Sequence, residues 1–276
     1  MSSLQTAVSI LDCFGPGRTE LAVTDVAKGL KIPKSTVSRL LRAMTQAGLV
    51  EQDAESRRYR VGPLPFRLGS LYQAHMQVLD LADAAIGELV EQTGFSGYVG
   101  VLSGTDIVIL RRRQGRYPVR IVLEPGSRVA AFTTAYGKAL LARQSDGELR
   151  AALPPVLIYQ PTRLKTPIGK FLGELEIVRN RFWAAASEET MLGIGAIGTA
   201  VGSGNGEQPV GLSLSFPVNA VTRQQQDEMV EKLVAASARI AAQTGDPVWA
   251  ARAIAGRPAP ARQTLRPSGT KASTAA

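Results

Sequence analysis

The stretch IPKSTVSRLL, residues 32–41, decides how the N-terminal part of the chain is read. Pro33 suits the first turn of a helix, where a missing N–H costs little. From there Val37, Leu40, Leu41 and Met44 recur at helical spacing as one apolar stripe, while Ser35, Arg39, Arg42 and Gln46 fall on the other side. Water alone would accept any polar residues there. Small hydroxyls and a guanidinium near the helix start are suited to a polyanion.

Immediately upstream, Thr24 is placed to cap a shorter helix with Val26, Ala27 and Leu30 inside, and only Lys31 and Ile32 join the two helices. So short a joint predicts a sharply angled helix-turn-helix. Before it, Leu4, Ala7, Val8, Leu11 and Phe14 predict one face of a first helix, stopped by GPGR at 15–18. After it, Gly48 ends the third helix, and LVEQ (49–52) and RRYRVG (57–62) predict short strands joined by the polar turn DAES. That hairpin is a wing.

Beyond Gly62, residues Leu64, Leu68, Leu71, His75 and Val78 are spaced four, three, four, three, which predicts a linker helix with a heptad-like seam suited to a dimer contact. His75 reads there as a packed polar residue. From residue 82 the texture is mixed. A helix closes at Gly94, SGYVGVLSG (96–104) and DIVILRRRQG (106–115) are β-rich, TAYGKALLARQ (134–144) and 168–182 are helical, and three strand candidates precede a last helix from Thr222 to Gln243. This order predicts an α+β domain with an antiparallel sheet flanked by helices. The boundaries expected are 1–62 for the winged helix-turn-helix, 63–81 for the linker helix, 82–245 for the α+β domain and 246–276 for a basic, disordered tail.

With 276 residues, 45% of them hydrophobic, the chain can bury two modest cores. The first fifteen residues lack a basic n-region and contain Asp12, and no run of apolar residues is long enough to span a bilayer, so a cytoplasmic protein with no membrane anchor is expected. A single cysteine and a single histidine leave no constellation for zinc or for a Cys-His nucleophile, and no cofactor is expected. Cys13 reads as a small buried hydrophobe. The formal charge of +9 is unevenly spread: residues 247–276 carry five Lys/Arg and no acid, against ten and seven in residues 1–80. Net charge therefore says little about a folded DNA-binding surface, and local pattern must carry that reading.

Four stretches in order resemble the IclR family of bacterial transcription regulators: IPKSTVSRLL with GLVEQD, RRYRVGPLPFRLGSL, TTAYGKALLA, and ASEETMLGIGAI leading to VGLSLSFP. The resemblance covers about residues 4–245. It implies an N-terminal winged helix, a linker helix used in dimerisation, and a C-terminal GAF-like domain that binds a small effector. The function implied is that of a ligand-responsive transcriptional regulator, a homodimer or tetramer and commonly a repressor, and not an enzyme. Its partners are double-stranded operator DNA and a small-molecule effector.

For DNA, Ser35, Thr36 and Ser38 can donate to phosphates or base edges, Arg39 can reach a guanine or a phosphate, Lys34 supplies a backbone contact, and Arg42 touches the backbone. Arg57 and Arg58 of the wing are suited to phosphate or the minor groove. For the effector, the resemblance implies a carboxylate held by the backbone donors of Ala135 and Tyr136, with Ile121, Val129, Ile194, Ser213 and Ser215 as walls. Two positions that are polar in some members are Ala186 and Ala196 here, which favours a bulkier or more apolar ligand, an aromatic or branched acid. Its acid group would then meet Arg111, Arg113 or Arg120 instead, although the triple arginine at 111–113 reads first as an alternating strand whose exposed arginines are solvated. Glu188 and Glu189 are adjacent at a strand end and read as loop caps rather than an acid–base pair. The glycine-rich GSGNG at 202–206 lacks the helix and Lys-Ser/Thr of a phosphate loop and reads as a hairpin.

Overall fold

The computed structural model describes residues 2–15, 17–74, 76–118 and 123–254, and the chain falls into two units, Met1–His75 and Met76–Ala276. In the first, Ser2 opens α1 (Ser3–Leu11) with a reciprocal capping box to Gln5. β1 (Glu20–Leu21), α2 (Val23–Leu30), α3 (Lys34–Gln46), β2 (Val50–Gln52), β3 (Tyr59–Val61) and α4 (Pro63–Ala74) follow. The three strands form an antiparallel sheet in the order β1-β3-β2. Between α2 and α3 the chain turns at Lys31, which adopts left-handed φ 55°, and Ile32 N–H closes the turn on the Ala27 carbonyl at 3.1 Å.

The core of this unit gathers Ile10, Leu21, Val26, Val37, Leu41 and Val50, all fully buried. Each such side chain contributes about 1.5–3 kcal/mol on burial, so the small unit depends on nearly every one of them. Two expectations shift. α2 begins after Ala22, without a side-chain cap, because β1 pairs Leu21 with Tyr59 and feeds directly into the helix; Thr24 lies inside it. In α1, Ile10 faces the core while Leu4 and Val8, expected on the inner face, are 75% and 49% exposed.

The second unit starts with α5 (Gln77–Thr93), followed by β4 (Ser96–Ser103), β5 (Asp106–Arg113), β6 (Arg128–Ala130), a 3-10 turn (Ala131–Thr133), α6 (Ala135–Leu141), α7 (Asp146–Ala152), β7 (Val156–Ile158), β8 (Lys165–Pro167), α8 (Ile168–Arg181), β9 (Ala184–Ser187), β10 (Ile194–Val201), β11 (Val210–Pro217), α9 (Arg223–Thr244) and α10 (Pro247–Ile254). The six-stranded antiparallel sheet runs β6-β5-β4-β11-β10-β9. Side chains alternate across it. Val99, Val101, Leu212 and Leu214 face α5 and α9, whereas Tyr98, Ile107 and Ile109 pack with α6 and α8. The loop at 202–206 joins β10 to β11, as read.

The helix expected across the unit boundary is two helices. α4 ends at Ala74, and Met76 leaves helical geometry at φ −110°, ψ 78° before α5. Val78 accordingly belongs to the core of the second unit, not to a seam with Leu68 and Leu71, which are about half exposed; His75 lies outside the described residues. The tail expected from residue 246 begins with an ordered helix, α10. Among the described residues no helix is long and apolar enough to cross a membrane, and no group of three or more His, Cys, Asp or Glu is placed to hold a metal ion.

Candidate functional site

α3 buries Val37, Leu41 and Met44 against the core. Its turns therefore present Lys34, Ser35, Arg39 and Arg42 outward, all exposed, with Thr36 and Ser38 half-buried at the edge. No acidic residue occurs in α3, and no side chain caps its N-terminus at Pro33, so free N–H groups, the positive end of the helix dipole and three cations share one helix. The wing turn is tied internally. The Asp53 carboxylate accepts from the Ser56 N–H at 2.7 Å and the Ser56 hydroxyl at 2.8 Å, and these bonds hold its pKa below the usual carboxylate value. The Asp53 N–H donates to the Arg58 carbonyl at 2.9 Å, leaving the side chains of Arg57 and Arg58 exposed. A groove of about 530 Å³ brings together Ser38 and Arg42 of α3 with Ser56 and Arg57 of the wing. Lys34, Ser35, Thr36 and Arg39 lie on α3 outside that groove, and Arg58 lies on the wing. Thr45 of α3 and Gln52 of β2 also line it and were missed by sequence reasoning; helical spacing, which puts Thr45 three residues after Arg42, and alternation along β2 were the signals that could have found them.

In the second unit, α6 starts at Thr134, whose hydroxyl accepts from the Gly137 N–H at 3.1 Å. Glycines in the sheet let this helix lie unusually close. A Cβ on Gly198 would sit 2.3 Å from the Tyr136 nitrogen, and one on Gly211 would sit 2.9 Å from the Tyr136 Cβ. Beside the helix start is a small cavity of about 40 Å³. Ala135 and Tyr136 line it from α6, Ala186 from β9, Ile194 and Ala196 from β10, and Ser213 and Ser215 from β11. Seven of the nine expected residues thus surround one space. Val129 does not: it sits in the edge strand β6 paired to Ile107 and packs with the core under α6. Ile121 and Arg120 lie outside the described residues.

Sequence reasoning missed the charged member of the wall, Glu189. Glu188 caps the loop as expected, accepting from the Gly193 N–H at 2.8 Å, but Glu189 turns inward to Lys138. The Lys138 ammonium, only 1% exposed, lies 2.7 Å from Glu174 and 2.8 Å from Glu189 and also donates to the Ala185 carbonyl at 3.3 Å. Burial opposes the charge on Lys138, but the two carboxylates outweigh it and hold its pKa above the ordinary lysine value. For Glu189 the balance is reversed. Burial lifts its pKa to about 7, because the single cation that favours its charge is shared with Glu174, which opposes it. The wall is thus more polar than Ala186 and Ala196 alone suggested. Tyr136, whose ring lies across Gly100 and Gly211, has a buried hydroxyl without a hydrogen-bond partner, and burial raises its pKa.

The arginines 111–113 do not reach this cavity. Arg113 makes a two-pronged pair with Asp83 of α5 at 2.8 and 2.7 Å, Arg111 lies 3.7 Å from the same carboxylate, and Arg112 pairs with Glu124 at 2.9 Å. Arg111 and Arg113 share the sheet face covered by α5, opposite to the cavity.

A winged helix-turn-helix with a basic helix face, in one chain with an antiparallel α+β unit that encloses a cavity, defines a DNA-binding regulator with a ligand-sensing domain. Residues 71–242 match the family described as "Bacterial transcriptional regulator IclR C-terminal", and residues 3–54 match "IclR helix-turn-helix domain". The chain belongs to the IclR family of bacterial transcriptional regulators. It is 30% identical over 246 residues to the HTH-type transcriptional regulator KdgR of Escherichia coli (strain K12), covering 89% of this chain and 93% of that one. Among solved structures, the IclR transcriptional regulator of Alicyclobacillus acidocaldarius shares the fold with a TM-score of 0.73 at 23% identity, over 88% of this chain and 98% of that one. An IclR homolog from Microbacterium hydrocarbonoxydans, solved in complex with 4-hydroxybenzoate, also has a TM-score of 0.73, at 20% identity over 88% of this chain and 99% of that one.

Proposed function

We propose that this regulator is a cytoplasmic, homo-oligomeric repressor that reads operator DNA with α3 and the wing and is controlled by a small organic acid in the cavity beside α6. For the DNA end, Ser35, Thr36, Ser38 and Arg39 at the start of α3 face the major groove, while Lys34, Arg42, Arg57 and Arg58 follow the phosphates; the uncapped helix start and the absence of any acid on α3 support this assignment. The apolar side chains left exposed on α4, with Phe66 at 79% and Leu71 at 53%, support a dimer contact along that helix.

The observation that carries the effector reading is the meeting of Ala135, Tyr136, Ala186, Ile194, Ala196, Ser213 and Ser215 around one space. The ligand class is an aromatic or branched acid: the walls are mostly apolar, and a homolog of the same fold is known with 4-hydroxybenzoate. A space of about 40 Å³ holds little more than a water, so such a ligand enters only when the wall opens. Leu123 and the loop carrying Glu189 and Thr190 are the wall segments outside the sheet and α6. Binding to an opened state would bias the equilibrium that sets DNA affinity, and DNA would disfavour the ligand in equal measure.

The experiment is thermal melting of the wild type and of Ala196→Phe against a panel of benzoates and branched-chain acids. A ligand that binds the native state raises the melting temperature, and the added ring removes that rise. An equal rise in both proteins would move the effector elsewhere; turnover of the ligand would instead point to an enzyme.

A further inference from the structure

A second, larger hollow lies on the other side of the same unit. α9, α10 and Trp183 enclose an open groove of about 660 Å³ whose floor holds both tryptophans of the chain, Trp183 and Trp249. Its α9 wall is a ladder of Val230, Val234, Ala238 and Ala242; each tryptophan turns only an edge to the groove, and Arg181 covers the Trp183 ring at 3.7 Å. Trp249 is fixed: its indole N–H donates to the Ala200 carbonyl at 2.9 Å, and its ring meets Phe182 edge-on at 4.9 Å. None of these residues touches the cavity beside α6.

The charges around this groove are unequal. Asp246 is fully compensated, receiving both prongs of Arg143 at 2.9 Å together with the N–H groups of Gly202 and Val248. Glu231 stands exposed at the rim. Arg252 has no such partner. Its guanidinium lies over the Phe182 ring at 4.6 Å and over Trp249 at 5.7 Å, and its Nη1 is buried without a hydrogen bond. A guanidinium cannot lose its charge at physiological pH, so a buried unpaired nitrogen on it is a standing cost that an anion would remove. The chain's own C-terminal segment does not supply one from its side chains, since residues 255–276 contain Arg257, Arg262, Arg266 and Lys271 and no acid. Asp246, Trp249 and Arg252 also follow residue 242, where the family match ends.

We propose that this groove is a second small-molecule site, for an amphipathic organic anion whose apolar body lies on Trp183 and Trp249 and whose carboxylate pairs with Arg252. The arrangement meets the needs of such a ligand separately, with aromatic and alanine walls for the body and one fork of N–H donors for the head. It goes beyond the effector reading and does not depend on it.

Because both tryptophans line the groove, their emission reports on it directly. The probe is octanoate, which does not absorb where tryptophan is excited, with octan-1-ol as its uncharged counterpart. Octanoate should change the emission saturably in the wild type, and octanol should bind about tenfold or more weakly. Arg252→Gln should bring octanoate down to the level of octanol, while Ala238→Phe, which fills the groove from an exposed position, should abolish both responses. Equal binding of octanoate and octanol, an unchanged affinity in Arg252→Gln, or no saturable response would overturn the proposal. So would an emission that follows protein concentration together with a rise in mass, since the groove would then be covered by a second copy of the chain.

Discussion

The N-terminal unit keeps its candidate chemistry on the outside of one continuous helix, with Lys34, Ser35, Arg39 and Arg42 all exposed on α3. The C-terminal unit assembles its own from α6, β9, β10 and β11 around one small space. In the first, function and stability use opposite faces of the helix, and a side chain can be removed without touching the core. In the second the same residues pack and bind. Gly198 is both a strand residue and the reason that Tyr136 can lie on the sheet, and Lys138 is both buried and charged. Substitutions should therefore separate binding from stability in the first unit and confound them in the second.

The largest effect is expected at Lys138. Lys138→Met leaves Glu174 and Glu189 without their shared cation and should cost about 3 kcal/mol or more, read as a fall in the denaturant midpoint. Gly198→Ala comes next, because its methyl would press on the backbone nitrogen of Tyr136. A loss of about 1–3 kcal/mol together with weakened effector binding is expected, and a neutral result would mean that α6 does not rest on the sheet as described. In the other unit Arg39→Ala should lower operator affinity by about 1–3 kcal/mol with no change in melting temperature. A melting change of similar size would erase the contrast between the units.

Two smaller effects sharpen the comparison. Burial pushes the Glu189 pKa up to about 7, so lowering the pH through the neutral range shifts its carboxyl toward the neutral form. An anionic effector should then bind up to about tenfold more tightly at pH 6 than at pH 8. Glu189→Gln should flatten that dependence in calorimetric titrations while leaving the Lys138–Glu174 pair intact. Arg57→Ala should weaken binding to all DNA sequences alike and reduce the slope of affinity against salt by about one, as the proposed phosphate contact requires.

What the sequence disclosed follows the same division. The face of α3 was legible because helical spacing alone sorts Val37 and Leu41 from Ser35 and Arg39. Both strands of the wing followed from Gly48 and the polar turn, whereas two-residue β1 carries too short a pattern to stand out. The break between α4 and α5 was not legible, because Leu64, Leu68, Leu71 and Val78 keep helical spacing straight through Ala74. Only the three-dimensional fold assigns Val78 to a different core. In the C-terminal unit the family resemblance located seven wall residues, but Glu189 resembled its neighbour Glu188 in sequence and differs from it only in which way the chain turns. Lys138 looked like any lysine in a short helix; its burial depends on Glu174, which lies on another helix.

The most direct test is a titration of wild type and Arg39→Ala against DNA from upstream of the protein's own gene and against scrambled DNA. It is run at two salt concentrations, with and without whichever acid raises the melting temperature. Tight binding confined to the upstream DNA, lost in the variant and altered by the acid in the wild type, is the result expected of an outward DNA face governed by an inward ligand cavity. Weak, salt-sensitive binding to both DNAs, indifferent to Arg39 and to the acid, would contradict it.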